Sequence, residues 1–292
     1  MKTPRWLLTV FLLLLTACAG AGGANSPTPS TVDEASPQLT PAITDSPSDT
    51  PTAADSVNPP AIPVGALSIV SLGDSLTRGD GDDSGIGGYP PRLKILVDAL
   101  RPGSQMLNLG RSGWAAIDLI NGINGERPQL DEALADHPQL VTIWIGSNDL
   151  WYLYEYGPDP MTAEAEQTDL QAYESNIDII LSRLTQSGAK VLIALLDDQS
   201  KRPVVVNPPN PAEPAFTAIS ADDLARMSAH VKTYNEIIRR KAAQYGAETV
   251  DFYNTDIFTN PATLYDDGNH PNTAGYEKIT QIWFAALSPY LK

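Results

Sequence analysis

Five short runs of aliphatic and β-branched residues mark the larger, C-terminal part of the chain: ALSIVSL (66–72), QMLNL (105–109), LVTIWI (140–145), KVLIALL (190–196) and ETVDF (248–252). They are mostly apolar without alternation, which predicts strands buried on both faces rather than strands with one wet face. Between them the apolar positions recur at helical spacing. YPPRLKILVDAL (89–100) starts with prolines and ends before RPG. TDLQAYESNIDIILSRLTQSG (168–188) stops on glycine. SADDLARMSAHVKTYNEIIRRKAAQYG (220–246) opens on a Ser220-x-x-Asp223 cap and also stops on glycine, and NTAGYEKITQIWFAAL (272–287) closes the chain.

Strands separated by helices imply βαβ units, hence a mainly parallel sheet covered on both faces. The expected fold is α/β: a three-layer α/β/α sandwich around a five-stranded, flavodoxin-like sheet, with ligands at the carboxyl ends of the strands. The unusual polar stretches fall where that rule wants them. GDSLTRGDGDDSG follows the first strand, NLGRSGW the second and GSNDLWYLYEYG the third, while DDGNHPN lies after the fifth strand and before the last helix. Topology therefore brings four polar clusters to one edge of the sheet.

That edge holds parts suited to nucleophilic acyl transfer. A serine hydroxyl attacks well only when a base removes its proton, and Ser75 and His270 are the candidate pair. His270 is one of three histidines in 292 residues. Asp267, three positions earlier in the same turn, is placed to orient the imidazole and stabilise its charged form. A tetrahedral oxyanion needs fixed donors. The Ser75 N–H, a glycine N–H from NLGRSGW and the Asn148 amide are available.

GDSL (73–76), Asn108-x-Gly110-x-x-Gly113, GSND (146–149) and DGNHP (267–271) resemble the four sequence blocks of the SGNH, or GDSL, hydrolases, in the family order and across nearly the whole domain. The resemblance implies Ser75 as nucleophile, His270 as base and Asp267 as its orienting acid, with no cofactor and no metal. It implies an oxyanion hole of Ser75, Gly113 and Asn148, with Gly110 as the alternative glycine in a shifted register. Asp74 is read as structural, tying down the nucleophile turn. Trp114, Ala115 and Ala116 depart from the small polar residues common after the second block, which affects substrate contacts rather than the reaction. The expected enzyme is a serine esterase working through an acyl-enzyme on a small-molecule or polysaccharide ester. Carbohydrate deacetylation is one reading. A lipase, lysophospholipase or thioesterase on longer acyl chains is another, and a binding lipoprotein that has lost turnover is a third.

The N-terminal part adds a location. Lys2 and Arg5 precede WLLTVFLLLL (6–15), a run shorter than the roughly 20 residues that span a bilayer but suited to a secretory signal. LTAC (15–18) resembles a bacterial lipobox, so residues 1–18 read as a lipoprotein signal and Cys18 as the lipidated residue; an ordinary cleavage site with an incidental cysteine is the alternative. Cys18 is the only cysteine, which excludes intramolecular disulfides. Residues 19–66 are rich in Ser, Thr, Pro, Ala and Gly with no Lys or Arg, and are expected to form a disordered tether. Residues 67–292 then form the hydrolase domain, held outside the cytoplasm on a membrane. The net charge of −16 and the lack of a basic stripe argue against nucleic acid as a partner.

Other features carry weaker expectations. His137 and His230 have no chemical company in the sequence and read as structural. DGDDSG (80–85) resembles the start of a calcium loop, but Pro91 stands where the ligating glutamate belongs. LWYLYEY (150–156) reads as an aromatic loop that stacks on sugar, receives an acyl chain or packs upon itself. The proline-rich insertion 197–216 reads as a lid or an inert surface loop.

Overall fold

The computed structural model describes residues 62–208 and 219–292. The signal segment 1–18 with Cys18, the tether up to residue 61 and the stretch 209–218 of the insertion lie outside the described residues.

Five strands build one parallel sheet: β1 (Ser68–Gly73), β2 (Gln105–Asn108), β3 (Leu140–Trp144), β4 (Lys190–Leu195) and β5 (Glu248–Asp251). Their order is β2-β1-β3-β4-β5, the flavodoxin-like order, whose switch point lies between β1 and β3. Every residue of β3 and β4 is buried, as their unbroken apolar runs predict. The edge strands β2 and β5 are largely exposed.

The helices among the described residues are α1 (Ser75–Arg78), α2 (Tyr89–Leu100), α3 (Ala116–Asn121), α4 (Gln129–Ala135), α5 (Ser147–Tyr156), α6 (Ala163–Gln186), α7 (Pro203–Val206), α8 (Ala221–Tyr245) and α9 (Thr273–Leu287). The cap expected at Ser220 forms, and α9 has one of the same kind. Ser220 accepts from the Asp223 N–H at the start of α8, and Asn272 accepts from the Gly275 N–H at the start of α9. α2 packs on α9 in one layer, and α6 packs on α8 and α3 in the other.

Each layer is centred on aromatic rings. Tyr89 of α2 stacks on Trp283 of α9, and Trp144 of β3 stacks on Phe252 with centroids 4.0 Å apart. On the opposite face Tyr173 of α6 lies parallel to Tyr234 of α8 at 3.7 Å. Such pairs contribute about 0.5–1.5 kcal/mol each beyond the area they bury. They fix the helices over the sheet, and so fix the strand ends that carry the polar clusters.

The end of the stretch expected as tether packs against the domain: Ile62 touches the core and Arg101 donates to the carbonyls of Pro63 and Gly65. LWYLYEY is helical, forming most of α5, rather than a loop. The run is too short for periodicity to show against its mostly aromatic composition. The first part of the insertion packs into the domain: Asp197, Asp198, Gln199, Ser200 and Arg202 are all buried. Among the described residues no helix is long and apolar enough to cross a membrane.

Candidate active site

Ser75 opens α1 directly after β1. Asp74 caps that helix, its Oδ1 accepting from the Leu76 N–H at 2.9 Å. Asp74 is fully buried and its Oδ2 has no partner among the described residues. Burial pushes its carboxyl up to about 6, against the lowering effects of the Leu76 N–H and of the nearby Arg202 guanidinium. The structural part expected of Asp74 is therefore visible as a cap beneath the serine.

The serine meets the last polar cluster. Its Oγ lies 3.0 Å from His270 Nε2, and His270 Nδ1 lies 2.6 Å from Asp267 Oδ2. Asp267 Oδ1 accepts from the backbone N–H of Asn269 at 2.8 Å and of His270 at 2.9 Å. Partial burial works to raise the Asp267 pKa, but the His270 side chain and these two amides outweigh it and hold the carboxyl below its usual value. An ionised Asp267 accepts a hydrogen bond from Nδ1–H, which leaves the Nε2 lone pair turned to the serine.

The second and third clusters meet beside the serine. α5 begins at the end of β3, and its first two turns grip residues 113–116. Asn148 Nδ2 donates to the Trp114 carbonyl at 2.9 Å, the Tyr152 hydroxyl donates to the Gly113 carbonyl at 2.7 Å, and Asp149 accepts from the Ala116 N–H at 2.9 Å. Asp149 is half-buried, and desolvation of its carboxyl pushes it up to about 7 despite that bond.

Of the two glycines weighed for the oxyanion site, Gly110 is otherwise engaged. Its N–H donates to Asn108 Oδ1 at 2.9 Å, and a Cβ there would stand 2.3 Å from the Arg78 nitrogen, so the glycine serves the close approach of β2 to α1. The N–H groups of Ser75 and Gly113 donate to nothing among the described residues, and the Asn148 amide has one hydrogen beyond the Trp114 bond. These donors therefore keep hydrogens not taken up by the described residues.

The four aromatics of α5 divide. Trp151 packs against the core, and Tyr154 donates to Glu166 at 2.9 Å and meets His230 edge-on. Tyr152 and Tyr156, one turn apart, are exposed as a pair with ring centroids 5.9 Å apart. Trp114 is buried beneath the Arg111 guanidinium. His230 does have company, contrary to the reading of the sequence: its Nε2 lies 2.8 Å from Asp169 Oδ2, which also accepts from Tyr234. These contacts join α6 to α8 away from Ser75, and His137 is exposed after α4.

DGDDSG is a brace. Asp82 accepts from the Arg92 guanidinium and from the Gly87 and Gly88 amides, and Asp83 accepts from the N–H of Thr273 at 3.0 Å, at the start of α9. Among the described residues no group of three or more His, Cys, Asp or Glu side chains is placed to hold a metal ion.

A parallel sheet of this order with a serine, a histidine and an aspartate in contact at its carboxyl edge places the molecule among the three-layer hydrolase sandwiches. Residues 71–278 match the GDSL-like Lipase/Acylhydrolase family, and the chain belongs to that family. It is 24% identical over 258 residues to a multidomain esterase of Ruminococcus flavefaciens, covering 78% of this chain and 29% of that one. It is 27% identical over 239 residues to an acetylxylan esterase of Xylanibacter ruminicola, covering 78% and 44%. The chain thus spans less than half the length of these two curated relatives. In fold it is similar to the acetylxylan esterase Axe2 of Geobacillus stearothermophilus, with a TM-score of 0.55 and 20% identity over 78% of this chain and 96% of that one. It is similar also to LAE5, a hydrolase from the metagenome of Lake Arreo, with a TM-score of 0.55 and 22% identity over 80% and 100%.

Proposed function

We propose that the protein is a serine carboxylic ester hydrolase that removes acetyl groups from carbohydrate, with Ser75 as nucleophile, His270 as general base and Asp267 as its orienting acid. The contact of Ser75 Oγ with His270 and of His270 with Asp267 carries this reading. Ser75 Oγ attacks the ester carbonyl carbon while its proton passes to His270 Nε2. The oxyanion is received by the N–H groups of Ser75 and Gly113 and by the Asn148 amide. The proton then goes to the departing sugar oxygen, leaving an acetyl-enzyme. Water attacks that ester with His270 again as base, and acetate leaves.

Two things support carbohydrate as the alcohol. A curated relative and a solved neighbour are both named acetylxylan esterases. The exposed Tyr152–Tyr156 pair also stands beside the Gly113 donor, where a sugar bearing the ester would lie. Catalytic mutants of that neighbour replace a serine, a histidine and an aspartate, the residue types in contact here. The location follows from the N-terminal sequence: a signal segment ending at Cys18, lipidated there, would tether the domain to the outer side of a membrane.

Hydrolysis of nitrophenyl esters from acetyl to dodecanoyl, with Ser75→Ala as control, tests the reading. The expected result is serine-dependent turnover that falls steeply beyond acetyl, together with acetate release from acetylated xylan. A preference for long chains would replace the carbohydrate substrate with a lipid one. Wild-type turnover in Ser75→Ala would sink the mechanism.

A further inference from the structure

We infer that Arg202, in the segment after β4, is a positioning residue for the reaction: through Asn269 it holds the turn that carries Asp267 and His270. The inference rests on the catalytic reading of those two residues.

Arg202 is 2% exposed. A guanidinium is buried at tolerable cost only when its donors are met, and here they are met by the two things it joins. Its Nε and Nη2 form a fork on Asp197, at 2.8 and 2.6 Å, and Asp197 lies just past the end of β4. Its Nη1 donates to Asn269 Oδ1 at 2.7 Å. The Phe258 ring covers the guanidinium face at 4.5 Å. Asn269 is the residue before His270, and its own N–H donates to Asp267. The chain of contacts therefore runs from the central sheet to the acid and base with one side chain between each pair of backbone segments. A second link runs beside it, from the Val204 N–H to the Gly268 carbonyl at 3.0 Å.

The segment that supplies these links is itself anchored. Asn235 of α8 bonds both the N–H and the carbonyl of Leu196, at 2.7 and 2.8 Å, and Ser228 of α8 donates to Asp198 at 2.7 Å. On its other side the turn rests against Gly81, where a Cβ would come within 2.7 Å of both His270 Cβ and the Pro271 carbonyl oxygen. With Gly81 in contact on one side and Arg202 pulling from the other, the imidazole has little room to leave the serine. A planar, always-charged fork suits that task, because a lysine in its place holds one acceptor as a point charge and leaves the other unheld.

The test uses nitrophenyl acetate and the full chain. Asn269→Ala breaks the link while leaving the buried Arg202–Asp197 pair intact, so the fold is kept. The expected result is a fall in kcat of about 10–100-fold, the scale of a small misplacement of reacting groups, with KM within about two-fold. The downfield proton NMR signal of His270 Nδ1–H should broaden or vanish. Arg202→Lys should lower kcat similarly in the wild-type background, and by less than about two-fold once Asn269→Ala is present, because coupled residues are not additive. Wild-type kcat and an unchanged proton signal in Asn269→Ala would overturn the inference, as would an equal effect of Arg202→Lys in both backgrounds. If Ser75→Ala retained hydrolysis, the catalytic reading would fall first; if only Asn269→Ala did, the positioning alone would fall.

Discussion

The two halves of the site are held in place by different means. Ser75 and Asn148 follow directly from the ends of β1 and β3, neighbours in the sheet whose register pairs Gly73 with Trp144. Backbone ladders at the centre of a buried sheet set their separation. Asp267 and His270 sit on a turn well past the end of β5, itself an exposed edge strand. Beside local backbone bonds such as Tyr265 N–H to the His270 carbonyl, their positions depend on side-chain links: Arg202 to Asn269, Asp83 to Thr273, and Asn272 to the carbonyl of Leu264. The half made from strand ends tolerates loss of any one side-chain contact, because the sheet remains. The half made from a turn has a smaller reserve, a few isolated backbone bonds such as Val204 N–H to the Gly268 carbonyl.

Substitutions that sharpen this contrast rank by their expected effect. His270→Ala and Ser75→Ala should each lower kcat by on the order of 10⁵–10⁶-fold, since members of one catalytic unit fail together. Steady-state rates on nitrophenyl acetate measure this, and a loss for one but not the other would dissolve the pairing of the halves. Asn148→Ala should lower kcat by about 10²–10³-fold with a smaller change in KM, as for the loss of one oxyanion donor. Tyr152→Phe removes only the hydroxyl that holds the Gly113 carbonyl, a bond worth about 1 kcal/mol, so a loss of about five-fold is expected. If Tyr152→Phe matched Asn148→Ala, the strand-end half would depend on side chains as much as the turn does.

The smallest effect is on stability rather than rate. Asp149 ties α5 to Ala116 and keeps its proton up to about pH 7 when folded, whereas the unfolded chain releases it near 3.8. Between those values the folded state binds the extra proton, so stability falls as pH rises through that window. Asp74, raised by burial to about 6, adds a slope of the same sign. Asp267 has the opposite sign: its lowered pKa contributes stability above the unfolded value, lost as pH falls through the folded one. Melting temperatures between pH 4.5 and pH 7.5 should therefore decline less in Asp149→Asn than in the parent. An equal decline would mean that Asp149 is not the acid responsible.

Much of this could be read along the chain. The five strands follow from unbroken apolar runs, and the long helices from spacing and from caps such as Ser220 and Asn272, because those signals are local and repeat over many residues. Ser75, Asp267, His270, Asn148 and Gly113 were legible as candidates because each sits in a short motif after a strand end. α1, α3, α4 and α7 are too short for a period to register, and α5 hides its helix in a run of aromatics.

What only the tertiary structure decided lies between segments far apart in sequence. That Gly110 gives its N–H to Asn108, that Gly81 abuts His270 and that Arg202 reaches Asn269 depend on the approach of separate loops. No local pattern encodes such approaches. By itself the sequence determined which residues could take part in the chemistry and which sheet edge would carry them, because side-chain type and strand position are properties of short stretches. Packing decided which donors stay free, which carboxylates lose their water and what holds the histidine to the serine, because those depend on the whole set of neighbours at once.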